Sequence, residues 1–261
     1  MTQPVRDRPS SEDLSVDLDD LVIEDDTPVD NFQSAQQQRL LVDPLCSGTE
    51  LPRPFIADAN VGIFYQLRGE PIVPDMFLSL GVQRAADFAE KRDRTYLVWE
   101  FGKVPEVCIE VVSNREGNEL GRKKAVYAQI GVPYYVVFDP LQRLQRSEEM
   151  AGTLVRVWSI SPLGYTELTE PSGLQTVGQP IWLERVGLGL TLWTGTFEEE
   201  VERLWLRWCD RQGTVIPTGA ERAIAAETRA QTAETRAQTA EAKAQRLADR
   251  LRTLGIDPDQ V

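Results

Sequence analysis

The sequence predicts a mixed α/β (α+β) domain with one mixed sheet built round a strand–helix–strand unit. A disordered acidic tail precedes it and a long coiled-coil-like helix follows. Three observations carry this. The stretch EVCIEVVSNREGNELGRKKAVYAQIGVPYYVVFDP, Glu106 to Pro140, passes from an apolar run into a helical pattern and back into an apolar run. The stretch ERAIAAETRAQTAETRAQTAEAKAQRLADRLRTLG, residues 221–255, repeats every seven residues. Residues 11–30 hold nine acids and no base.

Composition narrows the function classes. A chain of 261 residues, 41% hydrophobic, is long enough for one domain of ordinary size plus appendages. No apolar run approaches the ~20 residues that a bilayer span needs. The start MTQPVRDRPSSEDLS has no signal-peptide core, so the expected location is cytoplasmic. Cys46, Cys108 and Cys209 are too scattered for a metal knuckle and read as reduced and structural. The chain has no histidine, which excludes a Ser-His-Asp triad, a Cys-His pair, a His-Glu-x-x-His zinc site and the zinc deaminase motif. Catalysis would rest on carboxylates, Lys, Tyr, Ser, Cys or a metal held by oxygen, and Asp and Glu suit hard ions such as magnesium.

The acidity is concentrated at one end. Residues 1–50 contain twelve acids and three bases, a charge of −9, which leaves −4 of the chain's −13 to the other 211 residues. The segment SSEDLSVDLDDLVIEDDTPVD is poor in aromatics and dense in like charge, so residues 1–48 are expected to be unstructured. A solvated tail is the simpler reading of it, and a strip that mimics nucleic acid over a basic groove is the sharper one.

Residues 49–217 form the expected globular domain. IVPDMFLSLG and PEVCIEVVS read as strands, NELGRKKAVYAQIG as a helix closed by Gly131 and Pro133, and YYVVFD as a buried strand. Strand, crossover helix and strand should make a parallel, right-handed βαβ unit. LVRVWSI and YTELTE follow around the turn SPLG, then PIWLERVGLGLTLW, then a hairpin in LWLRWCDRQGTVI with Gly213 near its turn. EKRDRTYLVWEFGK, residues 90–103, reads either as a loop that contacts a nucleic-acid strand or as a β-hairpin packing its own aromatics.

In residues 218–255, Ala223, Ala230, Ala237, Ala244 and Leu251 alternate with Ala226, Ala233, Ala240, Leu247 and Leu254. This 3-4 seam predicts a helix that pairs with another helix, with self-association over 223–254 as the default. Alanine buries little area per heptad, so the leucine end should dominate. Residues 256–261 are a short tail.

One residue in the domain is out of place. On a strand, Glu106, Cys108, Glu110 and Val112 share a face, which sets a carboxylate into an apolar run. A buried ionised carboxylate costs several kcal/mol unless it is paired or bound to a cation. Asp75, in VPDMF, would meet Glu110 if the two strands pair. On the crossover helix, Leu120, Lys123, Tyr127 and Ile130 form the inward stripe, and Lys124 fits that stripe almost equally well. Two acids and a lysine can hold magnesium and stabilise charge on phosphorus. Glu110 and Lys123 could equally form a structural ion pair while Asp75 caps a turn.

VPD at Val73 to Asp75, PEVCIEVVS at Pro105 to Ser113, and KKAVYAQIGVPYYVVFDP at Lys123 to Pro140 together resemble the Uma-two family. Those proteins have the restriction-endonuclease-like fold of the PD-(D/E)XK nuclease superfamily. The resemblance continues through GLGLTLWTG, WLRWCDRQG and the alanine-rich helix. It implies an endonuclease that hydrolyses phosphodiester bonds of DNA, with Mg2+ (or Mn2+) held by Asp75 and Glu110. It also selects Lys123, four residues before Tyr127, as the third catalytic residue. The usual superfamily lysine, two residues after the acid, is here Val112. A family helix that carries an acid and a tyrosine has no evident equivalent in residues 41–70, where Glu70 is the remaining candidate for an extra acid. The alternative is a nuclease-fold scaffold without turnover that acts through its C-terminal helix.

Overall fold

A computed structural model of the chain describes residues 31–48, 50–114, 118–169, 177–255 and 257–258. The chain forms two compact units that divide between Ile216 and Pro217.

In the first unit, β1 (Phe55–Asp58), β3 (Met76–Leu80), β5 (Val107–Val111), β6 (Tyr134–Phe138), β7 (Val155–Ser161) and β8 (Gly164–Glu167) lie in that order in one sheet. Every neighbouring pair is antiparallel except β5 and β6, which are parallel and joined through helix α3 (Lys124–Ile130). That is the predicted βαβ unit. The helix stops where the sequence places its end, since Gly131 takes φ +83 and its N–H caps the carbonyls of Tyr127 and Ala128.

Both faces of this sheet are covered, so its central strands are apolar throughout rather than alternating. Val107, Ile109 and Val111 face a core shared with helix α1 (Phe32–Ser47) and a second sheet of β9 (Ile181–Leu183), β10 (Leu188–Thr196) and β11 (Glu202–Cys209). Cys108 and Val112 face an aromatic layer on the other side, where Tyr127 of α3 packs with Tyr135 and Trp158. β2 (Ile63–Phe64) and β4 (Tyr96–Leu97) form a small parallel pair beside it. After β11 the chain turns back through Asp210–Thr214, and Val215 bridges Cys209, which closes the predicted hairpin.

Two segments differ from expectation. The unstructured tail expected over 1–48 is helical in its last part, as α1. Residues 1–30 lie outside the described residues. The helix escapes a hydropathy reading because Ser34, Gln36, Gln37 and Gln38 are buried beside Leu40, Leu41 and Leu45. Their polar atoms are met by other elements: Gln37 donates to Leu206 O at 2.7 Å and accepts from Leu206 N at 3.0 Å, which closes the outer edge of β11 as a paired strand would. Residues 90–103 form no hairpin. They make a 3₁₀ turn (Lys91–Arg94), β4 and the short helix α2 (Val98–Phe101), with Tyr96 buried between Phe77 and Phe101.

The second unit is helix α4, Gly219–Thr253, opened by a capping box in which Thr218 and Glu221 exchange side-chain and backbone hydrogen bonds. No helix among the described residues is long and apolar enough to cross a membrane.

Candidate active site

The site is built on β5. Register pairs Met76 with Ile109 and Phe77 with Cys108, so Asp75 stands one step further on, opposite Glu110. Alternation puts both carboxylates on the aromatic face, because Phe77 and Cys108 belong to it. Asp75 Oδ2 accepts the backbone N–H of Val111 at 2.6 Å. Its other oxygen accepts from Gln38 Nε2 at 3.1 Å, and Asn60 Nδ2 in turn donates to Gln38 Oε1 at 3.0 Å. Asp75 is therefore held by β5 on one side and by α1 on the other.

Glu110 has no exposure to solvent. Tyr127 OH donates to its Oε1 at 2.9 Å and Lys123 Nζ to its Oε2 at 2.7 Å. Burial pushes the Glu110 carboxyl up to about 8; Lys123 pulls it down, while the nearby Asp75 adds to the rise. Burial would lower the Lys123 ammonium, yet Glu110, Asp75 and Glu119 hold it above its ordinary value.

A local irregularity aims the lysine. Residues Glu119–Lys123 form a single π-helical turn ahead of α3, a geometry often found at functional sites. Asn118 opens it with φ 56, and its Oδ1 accepts the N–H of Arg122 at 3.1 Å. A Cβ on residue 121 would sit 2.1 Å from that Oδ1, so the cap requires Gly121. The turn leaves Lys123 and Tyr127, four residues apart, on one face and both on Glu110. Glu119, within the same turn, is buried with Oε2 lacking a hydrogen-bond partner, and burial raises its carboxyl.

The structure thus brings Asp75, Glu110 and Lys123 together. Lys124 points elsewhere, with its ammonium 4.0 Å from the centre of the Trp158 ring. Val112 is packed into the aromatic layer, so a lysine there would face a dry apolar surface. Glu70 does not converge: its side chain is 88% exposed and 3.9 Å from Arg122. It lines a cleft of about 390 Å³ shared with Tyr65, Asn118, Arg122 and Lys123. Glu106, in the first position of that strand face, accepts Leu80 N–H and pairs with Lys103, a structural role. Sequence reasoning missed Gln38 and Asn60. A run of three glutamines before Arg-Leu-Leu carries no signal of which one turns inward.

The donor set has a definite chemical character. Two carboxylates converge, and among the described residues no group of three or more His, Cys, Asp or Glu is placed to hold a metal ion. That is too few protein ligands for a structural zinc. It fits magnesium, which keeps several waters and takes one or two carboxylates together with substrate phosphate.

The family model Uma2, described as "Putative restriction endonuclease", matches residues 6–147, more than half of the chain. The chain belongs to the Uma2 family. The match runs from the acidic segment to beyond β6 and includes Gln38, Asp75, Glu110, Lys123 and Tyr127. The mixed sheet with its parallel β5–β6 pair agrees with the restriction-endonuclease-like fold that the motifs imply. Membership of Uma2 supports a function of nuclease type. α1 lies ahead of β1, and its side chain on Asp75 is the amide Gln38 rather than an acid. No curated protein matches the chain.

Proposed function

We propose that this Uma2 protein is a magnesium-dependent endonuclease that hydrolyses phosphodiester bonds of DNA. The observation that carries the reading is the convergence of Asp75 and Glu110 from adjacent strands with Lys123 from the crossover helix. Asp75 and Glu110 hold the ion, with Mn2+ as an alternative to Mg2+. When bound, the ion polarises a phosphate oxygen and acidifies a water.

The remaining work belongs to the chain. Gln38 and the Val111 N–H fix the Asp75 carboxylate, and Tyr127 fixes that of Glu110. Lys123 is about one-third exposed at its side chain, so its ammonium reaches from Glu110 to the cleft. There it orients the attacking water or offsets the charge that grows on phosphorus as the P–O bond breaks. Arg122, on the rim of the same cleft, is placed to meet an adjacent phosphate.

The test is calorimetric titration of Mg2+ and Mn2+ into wild type, Asp75→Asn and Glu110→Gln, followed by cleavage assays on single-stranded DNA, duplex DNA and RNA with and without chelator. The reading requires metal binding in wild type, its loss in both variants, and chelator-sensitive cleavage of DNA. Cleavage retained by Asp75→Asn would overturn it.

A further inference from the structure

The charges beside the seam of α4 have a regularity that one helix cannot use. Counting Ala223 as position a and Ala226 as position d, every g position from Arg222 to Arg250 is basic: Arg222, Arg229, Arg236, Lys243 and Arg250. The e positions Glu227, Glu234 and Glu241 are acidic. Each acid is two residues from one base and five from another, separations that do not bring side chains together on an α-helix, where three and four are the facing intervals. Accordingly, among the described residues Glu227, Arg229, Glu234, Arg236, Glu241 and Lys243 have no ion-pair partner, although ion pairs at ordinary spacing do form in α4, as at Arg252 and Asp249.

We infer that α4 pairs with α4 of a second copy of this chain, parallel and in register. In that arrangement the g residue of one helix meets the e residue of the next heptad on the other. Arg222 meets the Glu227 position, Arg229 the Glu234 position and Arg236 the Glu241 position, each twice by symmetry. An antiparallel pair would set g against g and e against e, so arginine would face arginine and glutamate would face glutamate. The charges therefore select both the partner and the direction. The seam is exposed at its alanines and at Leu247 and Leu254, with Leu251 half-buried, and its alanines allow the backbones to approach closely enough for the flanking ion pairs to form. In a parallel pair the two Thr218 residues lie side by side, so both chains enter the pair at the same end. The inference stands on α4 alone and is independent of the proposed chemistry.

The experiment uses the full chain with exposed Cys46 replaced by Ser, since Cys108 and Cys209 are buried. Ala226→Cys, at the first d position and far from the middle of the seam, should form a disulfide between two copies under mild oxidation. An antiparallel pair would set residue 226 against the opposite end of its partner and would give no such link. Sedimentation should show a dimer for the parent chain. Glu227→Lys with Glu234→Lys and Glu241→Lys should give a monomer with unchanged helix content by circular dichroism. Adding Arg222→Glu, Arg229→Glu and Arg236→Glu to that variant should restore the dimer. A monomeric parent chain, a dimer in which Ala226→Cys forms no disulfide, or a dimer indifferent to the three lysines would each overturn the inference.

Discussion

The ammonium of Lys123 lies 2.7 Å from Oε2 of Glu110, while that of its neighbour Lys124 lies 4.0 Å from the Trp158 ring centre. One backbone step separates a lysine in the candidate site from a lysine that packs on an aromatic face. Lys123→Met should leave magnesium affinity largely intact and remove cleavage, whereas Lys124→Met should leave both affinity and cleavage intact. If the pair were purely structural, Lys123→Met would leave Glu110 as an unpaired buried charge and cost about 3–5 kcal/mol with or without metal. Denaturant melts in magnesium and in chelator separate the two outcomes.

Glu110 should make stability depend on pH in a particular direction. Its carboxyl is raised by burial to about 8, against an ordinary value of 4.5, so the folded state holds a proton that the unfolded state gives up. The stabilisation is fully present below the unfolded value and is lost as pH rises through the folded one. In chelator, wild type should therefore lose stability relative to Glu110→Gln between those limits, by an amount on the order of a few kcal/mol. Below that window the two should melt alike. Melts of both proteins across that range check the sign, and a large loss for Glu110→Gln near neutrality would reject the metal-ligand assignment.

Gln38 should act on the metal without touching substrate. Removing its amide in Gln38→Ala takes one hydrogen bond from the Asp75 carboxylate and one from the Asn60 amide. Loss of such an outer hydrogen bond typically weakens metal affinity by about 10–100-fold. Calorimetry should show that weakening for Gln38→Ala.

The two parts of the N-terminal segment should separate on truncation. Residues 1–30 carry ten acids and two bases. Their deletion should leave the melting temperature unchanged and tighten DNA binding at low salt, since it removes repulsion. Deletion through residue 48 also removes the buried Leu40, Leu41 and Leu45 and takes the Leu41 carbonyl from the Trp208 indole N–H, 2.8 Å away. That chain should fail to fold or should melt far lower.

At the far end of α4, Leu247→Glu with Leu251→Glu places four carboxylates in the seam of a two-fold pair. Sedimentation should show the loss of self-association with the globular unit still folded.

Much of the core was legible because its signals are local. The strands round Asp75 and Glu110, the helix between β5 and β6 and its glycine stop follow from apolar runs and caps within the span of each element. Alternation on β5 predicted which residues share a face with Glu110, and helical spacing predicted the inward stripe of Lys123 and Tyr127. The choice between Lys123 and Lys124 was not legible from spacing, because they stand four and three residues before Tyr127, both facing intervals on a helix. α1 was missed for a different reason. Its buried face is rich in glutamine, and glutamine reads as solvent-facing until the backbone groups that satisfy it are known. Residues 90–103 misled because Lys91, Arg92, Arg94 and Lys103 flank Tyr96 and Trp99, as in a strand-contacting loop or a hairpin, whereas Tyr96 and Phe101 stack across a helical turn.

The clasp of Gln37 on Leu206 has a consequence for how the protein is made. Its two halves are 169 residues apart in the chain. At about 5–20 residues per second of synthesis, α1 leaves the ribosome roughly 10–30 s before β11 exists to receive it. Throughout that interval Leu40, Leu41 and Leu45 have only part of their final cover. The last stage of folding is thus a meeting of the two ends of the globular unit, and the nascent N-terminal helix is a natural client for a holding chaperone.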